Sequence, residues 1–149
     1  MGSQSDHSIM KDCEKILKIL KIKYQVSIVS AHRTPKRMFD FAEKAEKNGF
    51  GVIVAGAGGA AHLAGMVASL TTLPVIGVPI ESKKLKGLDS LLSVNQMPRG
   101  VVVATVAIDG SFNAGILAAS IIGNFDEKIK SNLEKWRRIQ TQSIKKRPK

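Results

Sequence analysis

Four short apolar runs, Tyr24 to Val29, Val52 to Ala55, Val75 to Val78 and Val101 to Val106, punctuate a chain otherwise patterned as helix. Runs this short cannot be buried helices. Bounded by glycine, proline or serine, they read as strands. Helical patterns separate them, and strands that alternate with helices and carry apolar residues throughout form a parallel sheet covered on both faces. The expected fold is therefore α/β, a doubly wound, flavodoxin-like three-layer sandwich. No repeat or linker divides the chain, so residues 1–149 are read as one domain. Its end, about 143–149, is read as a basic, disordered tail.

The intervening helices have clear signals. Ile9, Met10, Cys13, Ile16, Leu17 and Leu20 recur at helical period, with Ser5 or Asp6 placed to cap the start. Thr34-Pro35 opens a second helix, faced by Met38, Phe41, Ala42 and Ala45 and ended by Gly49. Gly56 to Gly59 reads as a turn leading into a small-residue helix over about 60–70. Further helices are predicted over about 85–94, 113–122 and 126–142, the last carrying the only tryptophan, Trp136. Gln96-Met97-Pro98 reads as a turn.

Composition narrows the function classes. The chain carries a net charge of +11 with 5% aromatic residues. The lysines lie along solvated helix faces and in the tail, with no aromatic interleaving to stack bases, so nucleic acid is not the expected partner. No apolar run is long enough for a membrane span. The single cysteine, Cys13, falls on an apolar helix face, which predicts an inert buried thiol and suits a reducing, cytoplasmic setting. Three separated histidines, His7, His32 and His62, make no metal site, so neither metal nor redox cofactor is expected.

Ligands of parallel α/β sheets gather at the carboxyl ends of the strands. Two turns stand there. Ser30-Ala31-His32-Arg33-Thr34-Pro35 pairs a proton-exchanging histidine with an arginine fork suited to phosphate, at a helix start whose free N–H groups favour anions. Gly56-Ala57-Gly58-Gly59-Ala60-Ala61-His62 satisfies the dinucleotide pattern G-x-G-x-x-A, but it follows an earlier strand–turn–helix unit instead of opening the fold. A wall of backbone amides around a flat ligand is the preferred reading; His62 is equally read as a helix-start residue. A third segment, Gly2-Ser3-Gln4-Ser5-Asp6, resembles a strand-to-helix turn with no strand before it. Its amides and hydroxyls suit phosphate, and Asp6 suits sugar hydroxyls; an ordinary helix cap is the competing reading.

Gly-Ser-x-Ser-Asp, Ser-Ala-His-Arg-Thr-Pro, Ala-Gly-Ala-Gly-Gly-Ala-Ala-His-Leu and Asp-Ser-Leu…Gln-Met-Pro occur in that order along essentially the whole chain. Together they closely resemble the N5-carboxyaminoimidazole ribonucleotide mutase family, the catalytic subunit of bacterial phosphoribosylaminoimidazole carboxylase. The resemblance implies a purine-synthesis isomerase that moves a carboxylate from the exocyclic nitrogen of an aminoimidazole ribonucleotide to a ring carbon. It implies that His32 is the catalytic proton carrier and that Arg33 binds phosphate. Ser3 and Asp6, with Ser5 nearby, bind the ribose-phosphate, Ser30 and Ala31 belong to the same turn, and Gly58, Gly59, Ala60, His62 and Leu63 wall the pocket. It also implies a homo-octamer with shared active sites.

Two departures accompany the resemblance. The family begins with an apolar strand running into Met-Gly-Ser, whereas this chain starts at that methionine. A start assigned too late is expected, a defective fragment being the other reading. Ile108 to Asn113 also replaces a longer glycine- and alanine-rich stretch. The rival activities are a carboxylase using free CO2 and an inactive, truncated relative kept as a basic binding module.

Overall fold

A computed structural model describes residues 1–147. The predicted tail residues 148 and 149 lie outside the described residues. Three strands, β1 (Ile53–Gly58), β2 (Val75–Ile80) and β3 (Ala104–Thr105), form a parallel sheet in the order β1-β2-β3. Ile53 pairs with Val75 and Gly58 with Ile80, so the full lengths of β1 and β2 are in register. All six residues of β2 are buried.

That burial comes from helices on both sides. Ile76, Val78 and Ile80 meet Met10 of α1 (His7–Ile19) and Ala114 and Ala118 of α5 (Ser111–Ile122). On the opposite face, Val75 joins Met38 and Ala42 of α2 (Pro35–Ala45), Leu63, Ala64 and Val67 of α3 (Leu63–Ala68), and Val94 of α4 (Leu88–Asn95). Each large aliphatic side chain so buried contributes roughly 1.5–3 kcal/mol. The last helix, α6 (Glu127–Ser143), covers α1 and α5 through Ile129 and Leu133. Its Trp136 ring lies 5.9 Å from that of Phe112. Asp126 caps α6 by accepting from the Lys128 and Ile129 amides at 2.9 and 3.1 Å.

Several expectations require correction. Tyr24 to Val29 forms no strand and pairs with none, and Val26 and Ile28 stay exposed. An extended segment becomes a strand only when a neighbour satisfies its amides. Here Met1 donates its amino group to the Ser27 carbonyl at 3.0 Å and accepts from the Val29 amide at 2.9 Å, and Arg37 Nη1 donates to the Ile28 carbonyl at 3.2 Å. Val101 to Val106 contracts to Ala104–Thr105, an edge strand paired on one side only. Gly56 to Gly58 belongs to β1 and not to a turn. Met10 packs so closely over Gly56 that a Cβ there would collide with its sulfur, so glycine serves packing inside the strand. Asp6 does not cap α1 with its side chain; it turns back to accept from the Ser3 amide at 2.8 Å.

The crossing of α1 and α5 depends on Gly115. A Cβ at that position would strike the Ile16 side chain and lie 3.2 Å from the Cys13 carbonyl oxygen. Gly115→Val is therefore expected to cost about 2–3 kcal/mol through overpacking. At about 2–4 °C per kcal/mol for a chain of this size, thermal unfolding should shift down by roughly 4–12 °C. Calorimetry of the variant checks this.

Candidate functional site

At the carboxyl ends of the strands, four segments meet around a cleft of about 800 Å³. The first is the turn from Gly2 to Asp6. The second is Ser30 to Arg33, which leads into α2. The third is the end of β1 and the turn before α3, residues 57–63. The fourth follows β2 and carries Glu81, Ser82 and Lys83, with Asp109 beside it. Ser3, Ser5, Asp6, Ser30, Ala31, His32, Arg33, Gly58, Gly59, Ala60, His62 and Leu63 all line this one space.

His32 and His62 touch directly. His32 Nε2 and His62 Nδ1 are 2.8 Å apart, and the rings stand edge to face with centroids 4.9 Å apart. One ring nitrogen donates and the other accepts across this contact, the roles being set by the tautomers. His62 stands at the N-cap position of α3, but its side chain makes no cap hydrogen bond and meets His32 instead. Both side chains belong to exposed residues at the cleft, open to a ligand.

Arg33 ties two turns together. Its Nη2 donates to the Gly2 carbonyl at 2.9 Å and its Nε to Ser30 Oγ at 3.2 Å. Ser30 in turn is clamped by Thr34, whose Oγ1 accepts from the Ser30 amide at 2.8 Å and donates to its carbonyl at 3.2 Å. Thr34 stands at the N-cap position of α2, but its hydroxyl is spent on holding the turn and not on the helix amides. Pro35 at the first helical position then sets the backbone direction. Asp6, although buried, keeps its carboxylate on the Ser3 amide, and Ser3 Oγ lies 2.6 Å from Ser5 Oγ.

The glycine wall has its own support. Ser90 is fully buried; its hydroxyl donates to the Ile80 carbonyl at 2.6 Å and accepts from the Gly59 amide at 2.8 Å. Gly59 has φ +69°, a backbone conformation that favours glycine, and Ser90 holds it there. Asp89 accepts from Ser82 Oγ at 2.7 Å, coupling α4 to the loop after β2. The Met97 side chain packs so tightly on Gly65 of α3 that any Cβ there would displace it. The Asp-Ser-Leu and Gln-Met-Pro segments therefore act behind the wall, holding α3 and Gly59 in place.

Sequence reasoning missed Ser82, Lys83 and Asp109 as lining residues, and weighed Glu81 only as the ribose-binding acid of the dinucleotide pattern. Asp109 adopts φ +57° and accepts from the Glu81 amide at 2.9 Å, while its own amide donates to the Pro79 carbonyl at 2.8 Å. The available signal was Asp109-Gly110, a turn pair just past the carboxyl end of an apolar run. The loop at Asp109 thus reaches the cleft rim. Cys13 lies elsewhere, between helices; burial pushes its thiol up to about 12, which makes it a poor nucleophile. His7 bonds Glu14 at 2.8 Å on the first helix and plays no part in the cleft. Among the described residues, no three His, Cys, Asp or Glu side chains cluster as metal ligands.

The AIR carboxylase family profile matches residues 1–143 of the chain. A Pyrococcus horikoshii protein named N5-carboxyaminoimidazole ribonucleotide mutase is 52% identical over 149 residues, covering 100% of this chain and 84% of its own. A Thermotoga maritima protein of the same name is 58% identical over 142 residues, covering 93% of this chain and 83% of its own. The fold matches a crystal structure of Treponema denticola PurE with a TM-score of 0.86 at 28% identity, over 97% of this chain and 90% of that one. Ser90 offers a test of the wall's construction. Ser90→Ala leaves the Ile80 carbonyl and the Gly59 amide unpartnered, at about 1–3 kcal/mol. Amide exchange at Gly59 should accelerate about tenfold or more; exchange–mass spectrometry reads it directly.

Proposed function

The chain belongs to the AIR carboxylase family, and from that premise we propose that it interconverts N5-carboxyaminoimidazole ribonucleotide and 4-carboxy-5-aminoimidazole ribonucleotide in purine synthesis. One observation carries the reading at residue level: three of the four segments whose motifs match the family converge on one cleft, which both His32 and Arg33 line. The activity is an isomerisation, as the names of the relatives state for those proteins.

In the proposed mechanism Arg33 and the amides of the Gly2–Asp6 turn hold the phosphate, and Asp6 and the serine hydroxyls face the ribose. Lys83 supplies a second cation at the rim. This fixes the aminoimidazole ring against Gly58 to Leu63, within reach of His32. Protonated His32 gives its proton to the carbamate nitrogen; the nitrogen–carboxyl bond breaks, its electron pair stays on nitrogen, and CO2 leaves. The ring carbon then attacks CO2, forming the new carbon–carbon bond. Neutral His32 removes the proton from that carbon, restoring aromaticity and its own starting state. No net proton or cofactor is consumed. Small apolar residues along the wall favour this route, since a dry pocket promotes carbamate breakdown and keeps CO2 beside the ring. The His32–His62 bond holds the proton carrier in one orientation.

The chain is proposed to act as a single domain in the cytoplasm; among the described residues no helix is long and apolar enough to cross a membrane. It is further proposed to assemble as a homo-octamer. Exposed Val102, Phe125 and Ile144, at 79%, 90% and 72%, supply apolar surface that association would cover.

His32→Asn is expected to lower kcat by about 10²–10⁴-fold, the usual worth of a positioned proton carrier, with little change in KM. His62→Gln should lower kcat less and leave KM near its starting value. Arg33→Ala should instead raise KM by about tenfold or more, as loss of a charged hydrogen bond costs roughly 1.5–3 kcal/mol. Supplying the carbamate nucleotide, or aminoimidazole ribonucleotide with bicarbonate, separates mutase from carboxylase. Turnover of only the second pair overturns the proposal.

A further inference from the structure

Beyond β3 the chain still follows the edge of β2. The Val106 amide donates to the Gly77 carbonyl at 3.1 Å, and the Asp109 amide to the Pro79 carbonyl at 2.8 Å. Between successive bonds of one kind, a regular parallel ladder advances two residues on each strand. Here β2 advances from 77 to 79 while its partner advances from 106 to 109, so one extra residue is inserted. Pro79 accounts for the place. Its peptide groups face this edge, and proline has no amide to donate to the Val106 carbonyl. The ladder thereby lacks the bond that would hold the next residues in step.

Asp109 completes the ladder with its side chain. With its amide on the Pro79 carbonyl, Asp109 stands opposite Ile80, where a regular strand would accept the Glu81 amide on its own carbonyl. A φ of +57° turns that carbonyl away, and it accepts from the Ser111 amide at 2.9 Å, at the start of α5. The carboxylate takes over the bond, Oδ1 accepting from the Glu81 amide at 2.9 Å. One residue thus ends the sheet, leads into α5 and fixes the amide from which the loop 81–87 departs.

That loop is held on both sides. Ser82 donates to Asp89 Oδ1 of α4 at 2.7 Å, and Ile108 packs so closely on Gly87 that a Cβ there would collide with it. Of the loop's lysines, Lys83, Lys84 and Lys86, only Lys83 lines the cleft. Lys86 lies 3.9 Å from the Glu81 carboxylate, whereas among the described residues Lys83 forms no ion pair. Lys83 and Arg33 are the lysine and arginine side chains of the cleft lining.

We propose that Asp109 is a positioning residue for substrate binding: by standing in for a strand carbonyl it fixes Glu81, and so presents Lys83 to the phosphate of the nucleotide. This rests on the reading of the cleft as an aminoimidazole ribonucleotide site. A residue that acts through Lys83 governs binding and leaves proton transfer at His32 alone, so its signature is in KM and not in kcat.

Asp109→Gly allows the left-handed backbone and removes the acceptor, whereas Asp109→Asn keeps both. The glycine variant is expected to speed amide exchange at Glu81 by about tenfold or more. It should raise KM for the carbamate nucleotide by about fivefold or more, with kcat within about twofold. Asp109→Asn should return both readouts to near the parent values. Lys83→Met should raise KM by a similar factor, and adding Asp109→Gly to it should raise KM no further, since the two act through one contact. Unchanged exchange at Glu81, unchanged KM, a fall in kcat at constant KM, or full additivity with Lys83→Met overturns the proposal. Should Asp109→Gly not fold, Asp109→Ser, one bond too short to reach the Glu81 amide, carries the same readouts, and its parity with the parent overturns the proposal equally. A parent chain that binds 4-carboxy-5-aminoimidazole ribonucleotide without turnover strikes the proposed activity alone, and the calorimetric Kd then replaces KM in the same comparisons. A parent that binds neither nucleotide overturns both.

Discussion

The structure depends on burying one strand, β2, on both faces. A parallel pair cannot be joined by a tight turn, so each strand needs a crossover helix, and right-handed crossovers distribute those helices over the sheet. Ile76, Val78 and Ile80 demand α1 and α5 on one side, while Val75 shares a cluster with α2, α3 and α4 on the other. Once the strands run parallel, their carboxyl ends share one rim of the sheet. The turns carrying Gly2 to Asp6, Ser30 to Arg33 and Gly59 to His62 consequently meet, although they are far apart in the chain. The cleft is a result of topology before it is a result of any polar contact.

Close packing then limits which residues the frame accepts. Glycine at 56, 77 and 115 lets Met10, Val94 and Ile16 respectively approach the backbone more closely than a Cβ permits. Gly58 and Gly59 act differently, lining the cleft at the end of β1 without side chains. The same residue type thus serves packing inside the sheet and access at its rim. Ser90 links the two, since its hydroxyl bonds both the end of β2 and the Gly59 amide.

The Ser30 to Thr34 turn shows how polar contacts refine what topology brings together. Thr34 clamps Ser30, Ser30 receives Arg33, and Arg33 reaches the Gly2 carbonyl, a chain that crosses from one turn to another. His32 projects beside this chain and is steadied by His62 from the opposite turn. Arg33 and His32 are therefore mechanically coupled: moving Arg33 would shift the turn that carries His32.

Much of this was legible in the residues alone. The helical period of Ile9 to Leu20, the Thr34-Pro35 helix start and the apolar runs determined an α/β sandwich, because burial patterns follow secondary-structure period. The Ser30 to Pro35 turn was placed at the carboxyl end of the sheet by residue type and position, and Ser30 to Arg33 line the cleft there. Tertiary structure decided the rest. Whether Tyr24 to Val29 becomes a strand depends on a neighbour for its peptide groups, and no local pattern supplies one. The pairing of His32 with His62, the placement of Asp109 at the rim and the role of Ser90 behind Gly59 join residues about thirty positions apart or more. Local propensity specifies which way a segment folds. Only the assembled sheet, with its strand order and helix crossings, specifies which side chains end up within hydrogen-bonding distance.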